Sequence, residues 1–321
     1  MLVWYVIWVI MLIFRLGKGC EEVSQALVSV IVATYRRDDA LKQALFSLGE
    51  QTYPNMEIVL VDDSAESQWQ EKVARIADDF RNTYPQASLH HITNAENQGS
   101  AKTRNIGIEA AQGEYVTFLD DDDVYLPEKV QNQVAEMILQ NADYSITDLK
   151  LYNENGHQID IRTRSYIQST EPDQLMRYHL MYHMTGTDTM MFRKDYLLSI
   201  GGFSLIDLGD EFYLMEKAIA KGGKFVYVPV CDVKAYVHTG ENGLSSGLSK
   251  IQCENSIYEF KKKRFSGLDK KTIRHIKMRH LAVLAFARLR RKEYGLFLKN
   301  GIHAVLVAPV GGIKLILNRK L

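Results

Sequence analysis

The stretch Glu114-Tyr115-Val116-Thr117-Phe118-Leu119-Asp120-Asp121-Asp122-Asp123 runs from aromatic, β-branched and apolar residues directly into four carboxylates. A short continuous apolar run suits a strand buried on both faces of a parallel sheet, and this one delivers the aspartates to the strand's carboxyl end. Acidic runs are ordinarily solvated surface. Here the flanking Val124-Tyr125-Leu126-Pro127 confines the run to a tight edge between a strand and a helix. Four adjacent carboxylates repel one another unless a cation sits among them, and hard oxygen ligands of this kind select Mg²⁺ or Mn²⁺ over softer metals. Such a cation is suited to bridging a diphosphate, where it neutralises charge that builds on a leaving phosphate.

Upstream of the run, the pattern alternates. Ala26 to Thr34 reads as a buried strand, and Leu41, Ala44, Leu45 and Leu48 then recur at helical spacing after Asp38 and Asp39, which can cap that helix. Glu57 to Val61 is a second strand, followed by a helix around Gln68 to Tyr84 and a weaker strand near Leu89 to Ile92. Asn97-Gln98-Gly99 is a turn, Ser100 to Gln112 is helical, and Gly113 ends that helix. Downstream come a helix to about Asn141, a strand to about Thr147, and a hairpin-like excursion through Asn153-Glu154-Asn155-Gly156. A strand-like run, Thr189 to Phe192, precedes a short helix, the Gly201-Gly202-Phe203 turn, a helix to Ala220 and a strand from Lys224 to Val228. This order predicts an α/β fold with a doubly wound, mostly parallel sheet, whose ligands sit beyond the carboxyl ends of the strands. Thr34-Tyr35-Arg36, Asp62-Asp63 and Asp120 to Asp123 all follow buried strands directly.

The 321 residues carry a formal net charge of zero, yet residues 261–321 hold 17 Lys or Arg against only Asp269 and Glu293. The remainder is correspondingly acidic, so the two parts face different partners. The tail from Ser249 is helical in pattern and basic, with Ile273, Ile276, Leu281, Leu284 and Leu289 among its charges. Its last stretch, His303 to Leu317, is interrupted by Pro309 and Gly311-Gly312 and is too short to span a bilayer as a straight helix. Met1 to Phe14 is apolar, but its positive charges Arg15 and Lys18 follow it, which does not fit an export signal; a membrane-dipping anchor and an artefact of the start codon are the two readings. Three widely spaced cysteines, Cys20, Cys231 and Cys253, contain no Cys-x-x-Cys pair, and unpaired thiols in a reducing compartment fit best. The expected organisation is an N-terminal apolar segment over 1–25, an α/β domain over 26–245 divided near 125, and a basic helical region over 246–321.

Other clusters allow more than one use. Asp62 and Asp63 could cap the next helix, and a carboxylate there can equally accept a nucleobase imide N–H. Arg104 stands near a helix start, where the macrodipole does not favour a cation, so it either faces a ligand or forms a surface salt bridge. Asp210-Glu211 at a helix N-terminus could serve as caps, or one of the pair could take the proton of an acceptor hydroxyl as general base. His238, in a loop rich in Gly and Ser, either ligates the metal, meets the diphosphate, or is solvated.

Together these residues resemble the family 2 glycosyltransferases of the GT-A fold. The resemblance rests on Val28 to Tyr35, Ile58 to Ser64, Asn97-Gln98-Gly99 with Arg104-Asn105, and Tyr115 to Asp123 with Pro127. It implies an inverting enzyme that uses a nucleotide-diphosphate sugar, most simply a UDP-sugar, with Mn²⁺ or Mg²⁺. By that likeness Thr34, Tyr35, Arg36, Asp62 and Asp63 hold the nucleobase and ribose. Asp120 and Asp122 form the DxD motif with Asp122 as metal ligand, while Asp120, Asp121 and Arg104 face the donor. The family usually carries Glu-Asp where this chain has Asp210-Glu211, and aligning on the following helix puts Glu211 rather than Asp210 at the base position. The acceptor expected is a glycan or lipid-linked saccharide of cell-surface polysaccharide synthesis.

The expected location is cytoplasmic, peripheral on the inner face of the cell membrane, since Lys and Arg with interleaved apolar residues are drawn to anionic lipid. A nucleotidyltransferase would use a related sheet but wants a glycine-rich loop after the first strand, and Ala33-Thr34-Tyr35-Arg36-Arg37-Asp38 has no glycine. A non-catalytic membrane- or nucleic-acid-binding module rests on the basic tail alone, where aromatic interleaving for single strands is sparse, so no nucleic-acid partner is expected.

Overall fold

The computed structural model describes residues 26–206, 209–237 and 247–317. The chain opens with β1 (Val28–Thr34), α1 (Asp39–Gly49), β2 (Met56–Asp62), α2 (Ser67–Thr83), β3 (Ser88–Thr93), α3 (Ser100–Ala110) and β4 (Tyr115–Asp120). It continues with β5 (Val124–Tyr125), α4 (Lys129–Gln140), β6 (Tyr144–Thr147), β7 (Leu149–Asn153), β8 (Gln158–Arg162), α5 (Pro172–Tyr182), a 3-10 turn (Thr187–Thr189), β9 (Met190–Arg193) and α6 (Lys194–Ser199). Then follow α7 (Asp210–Lys221), β10 (Phe225–Val228), β11 (Val233–Val237), α8 (Gly247–Lys262), α9 (Lys270–Arg290), α10 (Tyr294–Val307) and α11 (Pro309–Leu317).

Successive side chains of a strand point to opposite faces, and here both faces are covered. Val28, Val30 and Val32 of β1 pack with Leu41 and Leu45 of α1, Phe80 of α2 and Val134 of α4. Ile31, between them, belongs to the opposite face with Ile108 of α3, Phe118 of β4 and Leu214 of α7. The seven-stranded sheet has the order β10-β6-β9-β4-β1-β2-β3. It is parallel except for β9, which returns antiparallel between β4 and β6 with Val116 opposite Phe192. The doubly wound, mostly parallel sheet expected from the sequence is therefore the observed one. Register places Ala33 beside Asp120 and Thr34 beside Asp62, so the three polar clusters stand side by side at one sheet edge.

A second, four-stranded sheet, β5-β11-β7-β8, is less visible in the sequence. The expected hairpin is its β7–β8 arm, turning through Asn153 to His157. Tyr236 and Val237, just before the loop of His238, lie in β11, which pairs antiparallel with the two-residue β5 and parallel with β7. Such short strands carry too little periodicity to be recognised before they pair.

Local details also differ. Asp38 occupies the N-cap of α1 but makes no capping bond, because its carboxylate accepts from Lys72 Nζ at 3.0 Å. Asp62 and Asp63 do not cap α2, which begins at Ser67. Helix α3 ends at Ala110, two residues earlier than its pattern suggests, and Gly113 lies so close to β1 that a Cβ there would meet the Leu27 carbonyl at 2.7 Å.

The basic tail is helical throughout its described part. Helices α8 and α9 dock on α5 and α7 through Leu180, Phe212, Cys253, Ile257 and Ile276. Helices α10 and α11 fold back on α9 around Met278, Ala282 and Ala304. Cys231 and Cys253 are free thiols. Among the described residues no helix is long and apolar enough to cross a membrane. Residues 1–14 lie outside the described residues.

Candidate active site

The four aspartates point to different partners, because each step past the end of β4 turns the backbone. Asp120, the last residue of β4, accepts from Arg104 Nη2 at 2.7 Å, and its own N–H donates to Asp188 Oδ1 at 2.6 Å. Asp121 turns back toward β1, where Oδ2 accepts from Thr34 Oγ1 at 2.8 Å and from the Tyr35 N–H at 3.2 Å. Burial and the adjoining Asp122 push its carboxyl up to about 7, against the pull of Arg37. Asp122 accepts from Arg37 Nη2 at 2.8 Å. Asp123 is buried and accepts the Tyr236 N–H at 2.8 Å, the contact for which β11 is needed.

Carboxylate oxygens of Asp120, Asp123 and Asp188 lie within 4.8 Å of one another. Asp188 is buried in the 3-10 turn before β9. Burial, then Asp120, raises its proton affinity; burial, then Asp188, raises that of Asp123, and the two carboxyls share a hydrogen bond. Two carboxyls bonded in this way hold a proton between them, and a divalent cation would take the place of that proton. Three converging hard oxygens fit Mg²⁺ or Mn²⁺. The converging set includes Asp120 but not Asp122, whose carboxylate engages Arg37. Asp188 was not anticipated, since its Thr187-Asp188-Thr189 setting carries no strand or helix signal of its own. His238 lies outside the described residues.

Below the trio is a buried ammonium that no motif of the sequence marks. Lys129 Nζ donates to Thr117 Oγ1 at 2.6 Å and to the Tyr125 hydroxyl at 2.7 Å, and burial depresses its proton affinity strongly. The Tyr125 hydroxyl also contacts the carbonyls of Phe118 and Asp188, so this network braces the 3-10 turn against β4.

Arg104 joins the two halves of the site. Its Nη1 donates to Asp210 Oδ2 at 2.9 Å while Nη2 holds Asp120, and the guanidinium lies over the Phe203 ring. Its side chain is 13% exposed, so the surface salt bridge is ruled out. Burial opposes the charge, yet Asp120 and Asp210 keep Arg104 firmly protonated. Asp210 and Glu211 form the first turn of α7 after Gly209. Burial raises the Asp210 carboxyl, Arg104 opposes the shift and Glu211 adds to it. Glu211 is less enclosed and sits 3.1 Å from His183 Nε2. His183 follows α5 in a left-handed conformation, φ 54°.

At the edge of β1 and β2, Asp63 is buried and accepts from Asn94 Nδ2 and from the N–H groups of Gln98 and Gly99, fixing the turn into α3. Asp62 accepts the Ser64 N–H through Oδ1, while its buried Oδ2 has no partner among the described residues. Tyr35 is exposed, with Arg36 over its ring at 4.9 Å.

The family model for glycosyl transferase family 2 matches residues 29–197, more than half of the chain. The chain belongs to glycosyl transferase family 2. That membership sets it with sugar transferases rather than nucleotidyltransferases. The first curated relatives of this family 2 glycosyltransferase are matched over about half to three fifths of their length. One Escherichia coli relative, the UDP-Glc:alpha-D-GlcNAc-diphosphoundecaprenol beta-1,3-glucosyltransferase WfaP, is 28% identical over 67% of this chain and 78% of its own. Among solved structures, Staphylococcus aureus TarS 1-349 in complex with UDP-GlcNAc is 20% identical with a TM-score of 0.58, covering 90% of this chain and 83% of that one. The Pyrobaculum calidifontis mannosyltransferase PcManGT in complex with GDP-Man and Mn²⁺ is 18% identical with a TM-score of 0.56, covering 91% and 85%. These likenesses bear on the fold, which is the GT-A fold expected from the sequence.

Proposed function

We propose that this family 2 glycosyltransferase moves a sugar from a UDP-sugar to a hydroxyl of a glycan or lipid-linked saccharide, with inversion and with Mn²⁺ or Mg²⁺ bound among its carboxylates. The observation that carries this reading is the convergence of Asp120, Asp123 and Asp188 one buried guanidinium away from the Asp210-Glu211 pair. When bound, the cation neutralises charge on the leaving diphosphate. Thr34, Tyr35, Arg36, Asp62 and Asp63 hold the nucleobase and ribose, and Asp121 keeps the β1 end in place for them. Glu211 takes the acceptor proton. Asp210 is committed to Arg104, which is why Glu211 is preferred as base.

Asp120, Asp123 and Asp188 hold the cation in this proposal. Asp122 is the second reading, favoured by its place in the DxD motif, and it requires Arg37 to turn away. Mn²⁺ titration separates the two. The expected outcome is that Asp188→Asn weakens Mn²⁺ binding and Mn²⁺-dependent UDP-sugar hydrolysis by about 10–100-fold. Loss in Asp122→Ala with full retention in Asp188→Asn would move the cation to Asp122.

The acceptor and the location belong to the same proposal. The name of the E. coli relative gives its acceptor as a diphosphoundecaprenol-linked sugar, which supports a lipid-linked acceptor at the inner face of the cell membrane. Helix α10 adds support, since Leu298, Ile302 and Leu306 are exposed at four-residue spacing on a tail rich in Lys and Arg.

A further inference from the structure

Beside Glu211 the end of α5 meets the helices of the tail. His183, within hydrogen-bond reach of Glu211, also forms one wall of a cavity between the end of α5 and helices α8 and α9. The cavity is small and open to solvent, and its polar walls are Glu254, Tyr258 and Lys261 of α8 with Arg279 and His280 of α9.

Among the described residues its charges do not balance. Glu254 is the one carboxylate among the described residues of the lining, and it is already engaged by His280 Nδ1 at 3.0 Å. Among the described residues, neither the Lys261 ammonium nor the Arg279 guanidinium makes a hydrogen bond or ion pair; Lys261 rests over the Phe212 ring at 5.1 Å instead. Lys261 is 8% exposed, and burial pushes its ammonium down to about 8, with Glu254 pulling the other way. Burial lowers Arg279 as well. Burying one cation and half-burying a second beside one committed carboxylate is costly, and an anion among them would offset that cost.

We propose that this cavity receives a phosphoryl group carried by the acceptor, with Lys261 and Arg279 as its charge partners. The inference rests on the reading of Glu211 as base. Arginine offers phosphate a paired set of N–H donors and lysine a point charge, so the two together suit a phosphate monoester or diphosphate. The cavity begins one side chain from Glu211. A saccharide joined directly to a diphosphate presents a hydroxyl and a phosphoryl group across a single sugar ring, which fits this separation. The phosphoryl group can come from a lipid diphosphate or from a phosphate-bearing glycan.

The test is calorimetric titration of the full chain with glycerol phosphate and with decyl phosphate, in EDTA so that no cation recruits phosphate to the aspartates. Both probes are expected to bind saturably, and octyl glucoside is not. Lys261→Met and Arg279→Met should each weaken binding about 10–100-fold, the range of one charged hydrogen bond. Lys261→Arg keeps the charge and should retain binding, which separates a lost site from a lost fold. Tighter binding of decyl phosphate identifies a lipid-linked source, and equal binding a glycan phosphate. Wild-type affinity for both probes in the two methionine variants overturns the proposal. Glu211→Gln should keep phosphate binding and lose transfer; if it keeps transfer, the base assignment fails while the cavity stands.

Discussion

Arg104 is the residue on which the two halves of the site depend. It was visible in the sequence as a cation out of place at a helix start, and that electrostatic mismatch is resolved by Asp120 and Asp210 from two other elements. Arg104→Met leaves both carboxylates without their shared cation, and breaking a buried pair costs about 3–5 kcal/mol. The urea midpoint of unfolding should fall accordingly, with Arg104→Lys intermediate because one ammonium cannot span both partners. An unchanged midpoint in Arg104→Met would mean that the two carboxyls neutralise themselves by taking up protons. Asp188 shows the opposite case. It is 68 residues from Asp120 in sequence, and only the return of β9 between β4 and β6 carries it there.

At the scale of elements, α3 has to lie close to the sheet for Arg104 to reach both partners. Gly107 permits this, since a Cβ there would stand 2.5 Å from Ile31 Cγ2 on β1. Gly107→Ala is expected to lose about 1–3 kcal/mol of stability through overpacking. Ile31→Ala removes the obstructing methyl, so the double variant should show favourable coupling in a thermodynamic cycle. Strict additivity would show that α3 shifts freely. The alternation that defines β1 to β4 and their helices was legible because β1, β2 and β4 are buried on both faces and read as continuous apolar runs, while the edge strand β3 is half-exposed and gives a weaker signal. Strands β5 and β11 were not, because a two-residue strand and a half-exposed five-residue strand have no such signature.

At the scale of the whole molecule, the charge division between the body and its tail carries the expected location. The stripe Leu298, Ile302 and Leu306 is exposed on α10, and Val310 on α11 is 82% exposed. Replacing the three stripe residues by Asp should sharply weaken co-sedimentation with vesicles containing anionic lipid, because apolar insertion is lost and charge attraction is reduced. The melting temperature should stay unchanged, as exposed positions contribute little to folding. Retained co-sedimentation would place the contact elsewhere on the chain.

Period and placement along the chain were enough to determine the α/β class, the parallel sheet and the edge at which its polar clusters gather. Those properties follow from local steric and burial rules acting within ten or so residues. Only the tertiary structure decided which carboxylates meet. Asp188 reaches the aspartate run through β9, Arg104 ties that run to α7, and α8 and α9 close a cationic cavity behind Glu211. Each of these is a meeting of residues distant in sequence, set by strand order and helix docking, and no local pattern encodes it. The four-aspartate run is where the two kinds of information join: its position was written locally, and its division of labour among Arg37, Arg104, Tyr236 and Asp188 was settled by the fold.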